Sequence, residues 1–443
     1  MPLDTNNFGP RVGFAYSLGN QRPFVIRGGY GLFYTRIPQM YTSAIATDNG
    51  LASTHLFLDN TDYYDRQLFP AYPNPLTDCG LTATSCAAPA SVAGRLATEI
   101  SAFSPHFQTP RVHQASFSME REIADRMAVG ASYLFVNGDG LIRARDLNLP
   151  VPSAARYPVF DDSGNNLLGY YTVDSFSTWQ LTDSLTCPWA PCINPLQRPI
   201  PQLGAINVFE SAATSTYHGV TFSLRRRMTH GLYFRVAYTY AHAIDDGQDA
   251  LVVGRPVTVQ NTYSPSAERA SSVTDQRHRF VASWIVEPRP FHVGQEFLGR
   301  LFNGWRISGS VTAGSGRPVE ARIFGDPNQD LNSSNDRLPG YGRNAFVGPD
   351  YTTTNVRLSR EIHLTERLRL VALGEAFNLM NRFNGRVNVN DDGFLNSAGR
   401  FVQLDKRLGV NYFPAQYRVT GDFLRATNAY APRQVQFALR LVF

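Results

Sequence analysis

The sequence contains no uninterrupted apolar run that approaches about 20 residues, the length that a membrane-spanning helix requires. Of its 443 residues, 43% are hydrophobic, and the mean hydropathy is −0.24. No membrane-spanning helix is therefore predicted. Two classes remain open, a soluble protein of two or three domains and a single large β-barrel, because barrel strands alternate apolar with polar residues.

Lysine is almost absent from the chain. Lys406 is the one lysine, so the net charge of +5 comes almost entirely from arginine. Arginine binds carboxylate and phosphate groups bidentately, which would suit contacts with lipopolysaccharide. A GC-rich genome that favours arginine codons explains the bias equally well, and we prefer that explanation. No basic run is dense enough to indicate a nucleic-acid interface, so no nucleic-acid partner is expected.

Catalytic motifs are also lacking. The sequence has no nucleophile elbow, no phosphate-cradling loop and no His-Glu metal motif. Arg277, His278 and Arg279 could suggest chemistry, but alternation along a strand would place them on opposite faces of a sheet. An enzyme on a small barrel would need a Ser/His/Asn cluster, and none is apparent. An enzyme is therefore not expected.

The N-terminal residues 1–7 have neither the charged region nor the apolar region of an export signal. An outer-membrane protein needs such a signal to leave the cytoplasm. If the chain is a barrel, we expect it to be the downstream part of a longer protein.

The last eleven residues form the clearest strand pattern. One face is uniformly apolar and the other is mostly polar, as in a strand between lipid and a wet lumen. The apolar face consists of Val435, Phe437, Leu439, Leu441 and Phe443. This ending resembles the C-terminal signal of outer-membrane β-barrels, in which a terminal Phe marks the closing strand. The alternative is the final strand of a soluble β-sandwich.

Strand patterns recur in pairs, which predicts eleven antiparallel strands with alternating short and long connections. The short connections lie near 19–22, 122–125, 229–231, 288–303 and 362–366, and the long ones near 37–109, 138–216, 244–275, 315–350 and 380–432. Bacterial barrels have short periplasmic turns and long extracellular loops, so the long set is expected to face outward. Because single-chain bacterial barrels have even strand numbers, we predict unpaired edges at Gly9–Leu18 and Arg433–Phe443.

Six segments, in order, resemble the barrel repeats of Oar-like TonB-dependent receptors. They lie at 6–16, 27–34, 238–246, 277–280, 375–381 and 432–437. The resemblance implies a signal peptide, a carboxypeptidase-regulatory-like domain, a TonB box, a plug and a barrel of about 22 strands in the whole protein. Residues 1–443 would then be the C-terminal half of the barrel, an all-β fragment without those upstream parts.

The same resemblance implies a place in the cell outer membrane and uptake of a large or scarce substrate. The partners would be outer-membrane lipid and lipopolysaccharide, the barrel assembly machinery, and TonB through the missing N-terminal part alone. A surface-structure or adhesion role of the long loops and a passive porin-like channel remain as alternatives.

The four cysteines form two local pairs inside the longest predicted loops. Cys79 and Cys86 are seven residues apart, and Cys187 and Cys192 are five apart. Such spacings suit small disulfide-closed loops in an oxidising compartment, and neither is the two-residue spacing of zinc or thioredoxin motifs. Disulfides within each pair are predicted, ahead of free thiols and of a metal site.

Residues 326–336 carry oxygen ligands at every second position, which resembles the start of a calcium loop. Asp326, Asn328 and Asp330 are the candidate ligands. Leu331 stands where the sharp turn needs Gly, and Arg337 stands where the bidentate Glu belongs. A solvated loop rich in Asp and Asn is therefore the preferred interpretation, and no other cofactor is indicated.

Overall fold

The computed structural model describes most of the predicted strand regions and parts of the long connections. The described residues are 4, 6–20, 22–47, 49, 98–161, 165–182, 192–195, 198–247, 251–252, 255–288, 304–320, 327–330, 332, 335–338, 340–365, 368–387, 401–403, 417–419, 426 and 428–443.

Eleven consecutive antiparallel strands form one sheet, which we call the wall, and each strand pairs with the next along the chain. The strands are β1 (Arg11–Leu18), β2 (Phe24–Tyr34), β3 (Arg111–Ala124), β4 (Met127–Asp146), β5 (Leu203–Thr229), β6 (Leu232–Asp245), β7 (His278–Val286), β8 (Trp305–Gly314), β9 (Tyr351–His363), β10 (Arg369–Phe377) and β11 (Gln434–Val442). The predicted number and order of strands are confirmed.

The predicted hairpins form with the expected partners. In the hairpin of β5 and β6, Phe222 pairs with Tyr238, and the chain reverses at His230 and Gly231. Both turn residues have positive φ, 49° and 72°. A Cβ atom on Gly231 would lie 2.3 Å from the carbonyl oxygen of Glu287, so this turn requires glycine.

Two strands extend further than the sequence pattern predicts. Residues 138–216 were expected to be a loop, but β4 continues to Asp146 and β5 begins at Leu203, and these extensions pair with each other. The pairing is interrupted by register shifts between Ser211 and Ser215. Because the extensions are largely covered on both faces, they lack the alternation by which the rest of the wall is recognised.

Short elements lie at the end of the wall that carries the long connections, the long-loop end. They include one α-helix, α1 (Gln39–Thr47), and one 3₁₀ helix at Pro265–Glu268. The short strands are Thr98–Phe103, Ser153–Phe160, Leu167–Ser175, Trp179–Thr182, Cys192–Pro195, Leu251–Val252, Arg255–Pro256, Ala270–Ser271, Pro318–Val319, Phe346–Val347, Gly385–Arg386, Phe401–Gln403, Tyr417–Val419 and Asn428–Ala429.

Both ends of the sheet are unpaired among the described residues, as predicted. The sheet path begins at β1 and ends at β11, and neither strand has a second neighbour there. Every residue of β1 is exposed, and Phe437 and Phe443 are 84% and 95% exposed. No helix in the part of the chain that the structure describes is long and apolar enough to cross a membrane.

The hydrophobic core of the described residues lies at the long-loop end, where it includes the ends of β4 and β5. Tyr41 and Ala44 of α1 pack against Phe107, Ala144 and Phe209, all of which are buried. The rings of Tyr41 and Phe209 meet edge to face with centroids 5.2 Å apart. Between this core and the short turns, the described strands of the wall are joined mainly by the backbone ladder.

Candidate functional site

The inner face of the wall carries small polar side chains in continuous rows. One row crosses five strands because directly paired residues place their side chains on the same face. Its members are Ser118, Ser132, Thr221, Thr239 and Arg279. The hydroxyl oxygens of Thr221 and Thr239 are 2.9 Å apart and share a hydrogen bond. Such a surface can face water or another polar surface at low cost.

Charged pairs continue the inner face toward strand β11. Arg357 on β9 binds Glu375 on β10, and Glu375 also accepts a hydrogen bond from Gln436 on β11. Arg306 on β8 binds Glu287 at 2.6 Å. The arginines of both pairs are more than half exposed, so each pair adds little to stability in water.

The opposite, outer face is apolar and is bordered by a repeated tyrosine–histidine pair. The hydroxyl of Tyr30 lies 2.7 Å from Nδ1 of His113. The pair Tyr133–His218 and the pair Tyr238–His278 repeat this contact at 2.8 Å. Each pair joins two strands that are connected by a long loop. His113 and His278 lie near the long-loop ends of β3 and β7, whereas Tyr133 lies six residues from the short-turn end of β4. Such an amphipathic belt is typical of the edge of a lipid-facing surface.

The three pairs shift regularly relative to the hydrogen-bonded rows. Tyr30 pairs with Ala115 on β3, which pairs with Phe135 on β4. The tyrosine of the next pair, Tyr133, lies two residues before Phe135, toward the short turns. In the same way, Tyr133 pairs with Val220 on β5, which pairs with Tyr240 on β6. The tyrosine of the third pair, Tyr238, again lies two residues nearer the short turns. The shift is one residue per strand, which with a rise of ~3.4 Å and a strand spacing of ~4.8 Å corresponds to a tilt of about 35°. In a barrel with this stagger, the three pairs would lie at one level.

At the long-loop end, buried arginines bind the loops to one another. We call the assembly around Arg198, Arg337 and Arg343 the loop platform. The side chain of Arg198 is 8% exposed and binds the carboxylate of Asp146 at 2.8 Å. It also donates to the backbone oxygen of Asp330 at 3.0 Å. Arg198 thus connects the β4–β5 connection to the β8–β9 connection.

Arg337 forms a bidentate, buried ion pair in the platform. It donates to both carboxylate oxygens of Glu268, at 2.6 and 2.8 Å, and the two side chains are 8% and 3% exposed. Burial alone would lower the pKa of Arg337, but the hydrogen bonds and negative charge of Glu268 outweigh it and raise the pKa above its ordinary value. The pair stays ionised and joins the β6–β7 connection to the β8–β9 connection.

Arg343 reinforces the same junction. Its guanidinium donates to the backbone oxygen of Glu268 at 2.8 Å and binds the carboxylate of Asp245 at the end of β6. Asp245 is one of the acidic residues that the sequence shows beside β6, and its partner here is an arginine. The three long connections β4–β5, β6–β7 and β8–β9 therefore share one charged interior.

A hairpin of strands Ser153–Phe160 and Leu167–Ser175 lies against this interior. The hydroxyl of Tyr157 donates to the backbone oxygen of Pro327 at 2.9 Å. Burial, with a smaller contribution from nearby Tyr341, raises the pKa of Tyr171 to about 12. The phenol of Tyr171 therefore stays neutral in the folded protein over the physiological range.

Two of the predicted calcium ligands belong to the platform. Asn328 and Asp330 are 2% and 5% exposed, so the preferred interpretation of a solvated loop is wrong for these two residues, which are buried among the long connections. The carboxylate of Asp330 accepts hydrogen bonds from the backbone of Asn332 at 2.7 Å and from the side chain of Asn335 at 3.0 Å. Asp326 lies outside the described residues. Among the residues that are described, no group of three or more His, Cys, Asp and Glu side chains could hold a metal ion.

The structure does not test the predicted cysteine pairs. Cys79, Cys86 and Cys187 are outside the described residues, and for Cys192 only the backbone strand is described. The C-terminal pattern can be examined: Val435, Phe437, Leu439 and Leu441 lie on the exposed apolar face of β11. His278 lies on the outer face against Tyr238, and Arg279 lies in the inner row.

Sequence reasoning missed the three buried arginines and Glu268. Each lies in a polar stretch of a long connection, where the sequence does not distinguish a solvated charged residue from a buried one. The available signal was weak: Arg337 and Arg343 follow a stretch rich in Asp and Asn, a composition that offers many acceptors.

A family model described as "Outer membrane beta barrel domain" matches residues 1–341. No curated protein sequence matches the chain.

Solved structures with similarity include three outer-membrane proteins. A mutant of the ferric enterobactin receptor of Pseudomonas aeruginosa has 11% identity and a TM-score of 0.46 over 98% of this chain and 40% of its own. The ferripyoverdine receptor of the same organism has 10% identity and a TM-score of 0.41 over 98% and 32%. The outer membrane transporter YddB of Escherichia coli has 11% identity and a TM-score of 0.40 over 95% and 40%. This chain thus spans 32% to 40% of the length of those three chains.

Proposed function

Since this chain belongs to the family of outer membrane β-barrel domains, we propose that it forms part of the barrel of an Oar-like TonB-dependent receptor. The protein is located in the outer membrane. Its eleven-stranded wall would be the C-terminal half of the barrel, with residues 1–443 as one unit, and would contribute to energised uptake of a large or scarce substrate.

The two-faced wall is the observation that carries the proposal. Its outer face is apolar and bordered by the tyrosine–histidine pairs, whereas its inner face presents rows of Ser, Thr and Arg. A plugged lumen needs such an inner face, because a plug that must move or rearrange cannot be sealed into an apolar wall. The six segments that resemble barrel repeats of the Oar-like receptors support the same proposal.

Capture of TonB tests the energised part of the proposal. The protein that carries this chain would be cross-linked in its native cells, purified through an affinity tag and probed for TonB. We expect TonB in the cross-linked product, and more of it when substrate-rich medium is supplied. Absence of TonB from the product, with uptake unchanged in a TonB-deficient strain, would contradict energised transport.

Conductance separates the transporter from a passive porin-like channel. A plugged barrel should pass no steady ion current in a planar lipid bilayer, because the lumen is filled. A steady ohmic current through the whole protein would favour the passive channel instead.

The loop platform favours the adhesion alternative as a second candidate. Three long connections joined by buried arginines would present a fixed surface, as recognition of another cell or matrix requires. Cells that lack the protein would then lose attachment while retaining uptake. Loss of uptake without loss of attachment would count against adhesion.

The proposed partners follow from the same arrangement. The outer face would contact outer-membrane lipid and lipopolysaccharide, and β11 with Phe443 would be recognised by the barrel assembly machinery. TonB would bind only through the N-terminal part of the whole protein.

Calcium binding by Asp326, Asn328 and Asp330 stays a prediction. Titration of calcium chloride into the protein, followed by calorimetry, would test it, with Asp330→Asn as the variant. Binding that the variant weakens would support a calcium loop. Equal heats for both proteins would leave a buried, hydrogen-bonded loop without calcium as the better interpretation.

A further inference from the structure

A pocket of about 380 Å³ opens on the inner face near the short turns, and no function has so far been assigned to it. We call it the luminal arginine pocket. Strands β3, β4, β5 and β6 contribute to it, and its lining includes Glu120, Gly130, Ser223, Arg225, Tyr233 and Arg235.

Two of the four arginines that line the pocket, Arg225 and Arg235, lie directly opposite each other. Arg225 on β5 pairs in register with Arg235 on β6, so both side chains project from the same face. Like charges in directly opposed positions destabilise a strand pair. The two guanidinium groups therefore repel each other, and a bound anion would remove this repulsion.

Only one of the two arginines has an acidic partner within the described residues. Arg225 binds the carboxylate of Glu120, and Arg27 on β2 lies 3.9 Å from the other oxygen of that carboxylate. Arg235 makes no ion pair or side-chain hydrogen bond with any residue that the structure describes. The residues that line the pocket include four arginines, Arg225, Arg226, Arg227 and Arg235, but one acidic residue, Glu120, so the pocket retains excess positive charge.

Small residues leave room for a ligand between these charges. A Cβ atom on Gly130 would lie 2.9 Å from the hydroxyl oxygen of Ser223, so any larger residue there would press on the pocket floor. The hydroxyls of Ser223 and Tyr233 add hydrogen-bond donors beside the guanidinium groups. Arginine and hydroxyl donors around an open space suit a planar anion.

We propose that the luminal arginine pocket binds a carboxylate group against Arg235. Glu120 already places a carboxylate against Arg225, and the pocket has space for a second one. The ligand could be a small carboxylic acid in the lumen or an acidic side chain of a polypeptide segment that fills the lumen. The proposal rests on the barrel's inner face and does not require TonB-driven transport.

Equilibrium binding tests the proposal on the full chain extracted from the outer membrane. Citrate would serve as the small carboxylic acid and a hexaglutamate peptide as the acidic segment. In Arg235→Gln, binding of the preferred probe should weaken at least about tenfold, because a charge-assisted hydrogen-bond donor is lost. Arg235→Lys keeps the charge but loses the planar fork, so it should fall between wild type and Arg235→Gln.

Arg440→Gln is the matched control. Arg440 also lies on the inner face, where it pairs in register with Val371, and removing it takes away one luminal positive charge outside the pocket. It should leave binding unchanged. Higher ionic strength should weaken binding to wild type, because the pocket is open to solvent.

The outcomes separate the two sources. Arg235-dependent binding of citrate alone would indicate a solute, and Arg235-dependent binding of hexaglutamate alone would indicate a polypeptide segment. Equal binding by wild type and Arg235→Gln, or no binding of either probe, would overturn the proposal. Tighter Arg235-dependent binding of inorganic phosphate than of citrate would overturn the assignment to carboxylate.

Discussion

The wall and the loop platform share the same strands but are stabilised in different ways. On β5, the part that belongs to the wall exposes side chains such as Phe222, which is 57% exposed, whereas Phe209 nearer the platform is completely buried. Backbone hydrogen bonds join the strands of the wall, which has one polar and one apolar face. The platform has buried ion pairs between loops, and a small apolar core lies at the same end of the wall. Loss of one side chain should therefore matter little in the wall and much in the platform.

The largest expected effect is in the platform. Arg337→Met would leave the carboxylate of Glu268 buried without its bidentate partner, which costs about 3–5 kcal/mol. Hydrogen exchange measured by mass spectrometry should speed up at least about a hundredfold in platform peptides, with the wall unchanged.

Arg357→Met in the wall is the control for that measurement. Arg357 is 55% exposed and pairs with Glu375, so its loss should cost less than about 1 kcal/mol. Similar exchange rates in both variants would show that the platform and the wall are not stabilised differently.

The disulfide prediction gives the next largest effect and sharpens the same contrast. If Cys79 is joined to Cys86 and Cys187 to Cys192, reduction should destabilise two local loops by about 2–3 kcal/mol and leave the wall intact. Peptide mapping without reductant would identify the linked peptides. A cross-link between Cys79 and Cys187 would refute local pairing.

At the edge of the wall, the terminal aromatic is expected to affect assembly rather than stability. Phe443 is 95% exposed, so Phe443→Ala removes little buried surface and should change the stability of the assembled barrel only slightly. If it belongs to the assembly signal, the folded amount in the outer membrane should fall severalfold in the whole protein. Phe222→Ala, on a central strand, is the control, and equal levels of all three proteins would show that Phe443 is an ordinary residue.

Much of the wall could be predicted from the sequence, and the reason is physical. Alternation marks a strand whenever its two faces meet different surroundings, as at Phe222 and Thr221. The extensions of β4 and β5 escaped prediction because both of their faces are covered. The platform escaped because its contacts join residues far apart in the chain. The ion pair of Arg337 with Glu268 spans 69 residues, and the hydrogen bond from Arg198 to the backbone oxygen of Asp330 spans 132.

Membrane depth gives a smaller and sharper test of the wall geometry. Tryptophan replacements of Tyr133 and Tyr238 should be quenched equally by brominated lipids, because the strand tilt brings both to one level. Tyr240→Trp shares a hydrogen-bonded row with Tyr133 but should lie about 5 Å nearer the surface. Equal depths for residues 133 and 240 would indicate strands without the inferred tilt.

The smallest expected effect concerns alkaline pH and the platform hairpin. The pKa of Tyr171 is raised from 10.0 to about 12, so the contribution of its neutral phenol is fully present below pH 10 and is lost as the pH rises toward 12. The absorbance difference between wild type and Tyr171→Phe at 295 nm should titrate near pH 12. A midpoint at pH 10 would show that Tyr171 is solvated.

The one-residue shift of the tyrosine–histidine pairs from strand to strand also constrains the dimensions of a closed barrel. A cylinder that keeps this stagger closes with a shear number equal to its strand number, whatever that number is. Adding strands then widens the cylinder but leaves the tilt at about 35°. The height of the apolar band, and the roughly 9–11 residues that each strand needs to cross it, would stay the same. The stagger of this wall therefore already determines the height of the apolar band in any barrel of which the wall forms a part.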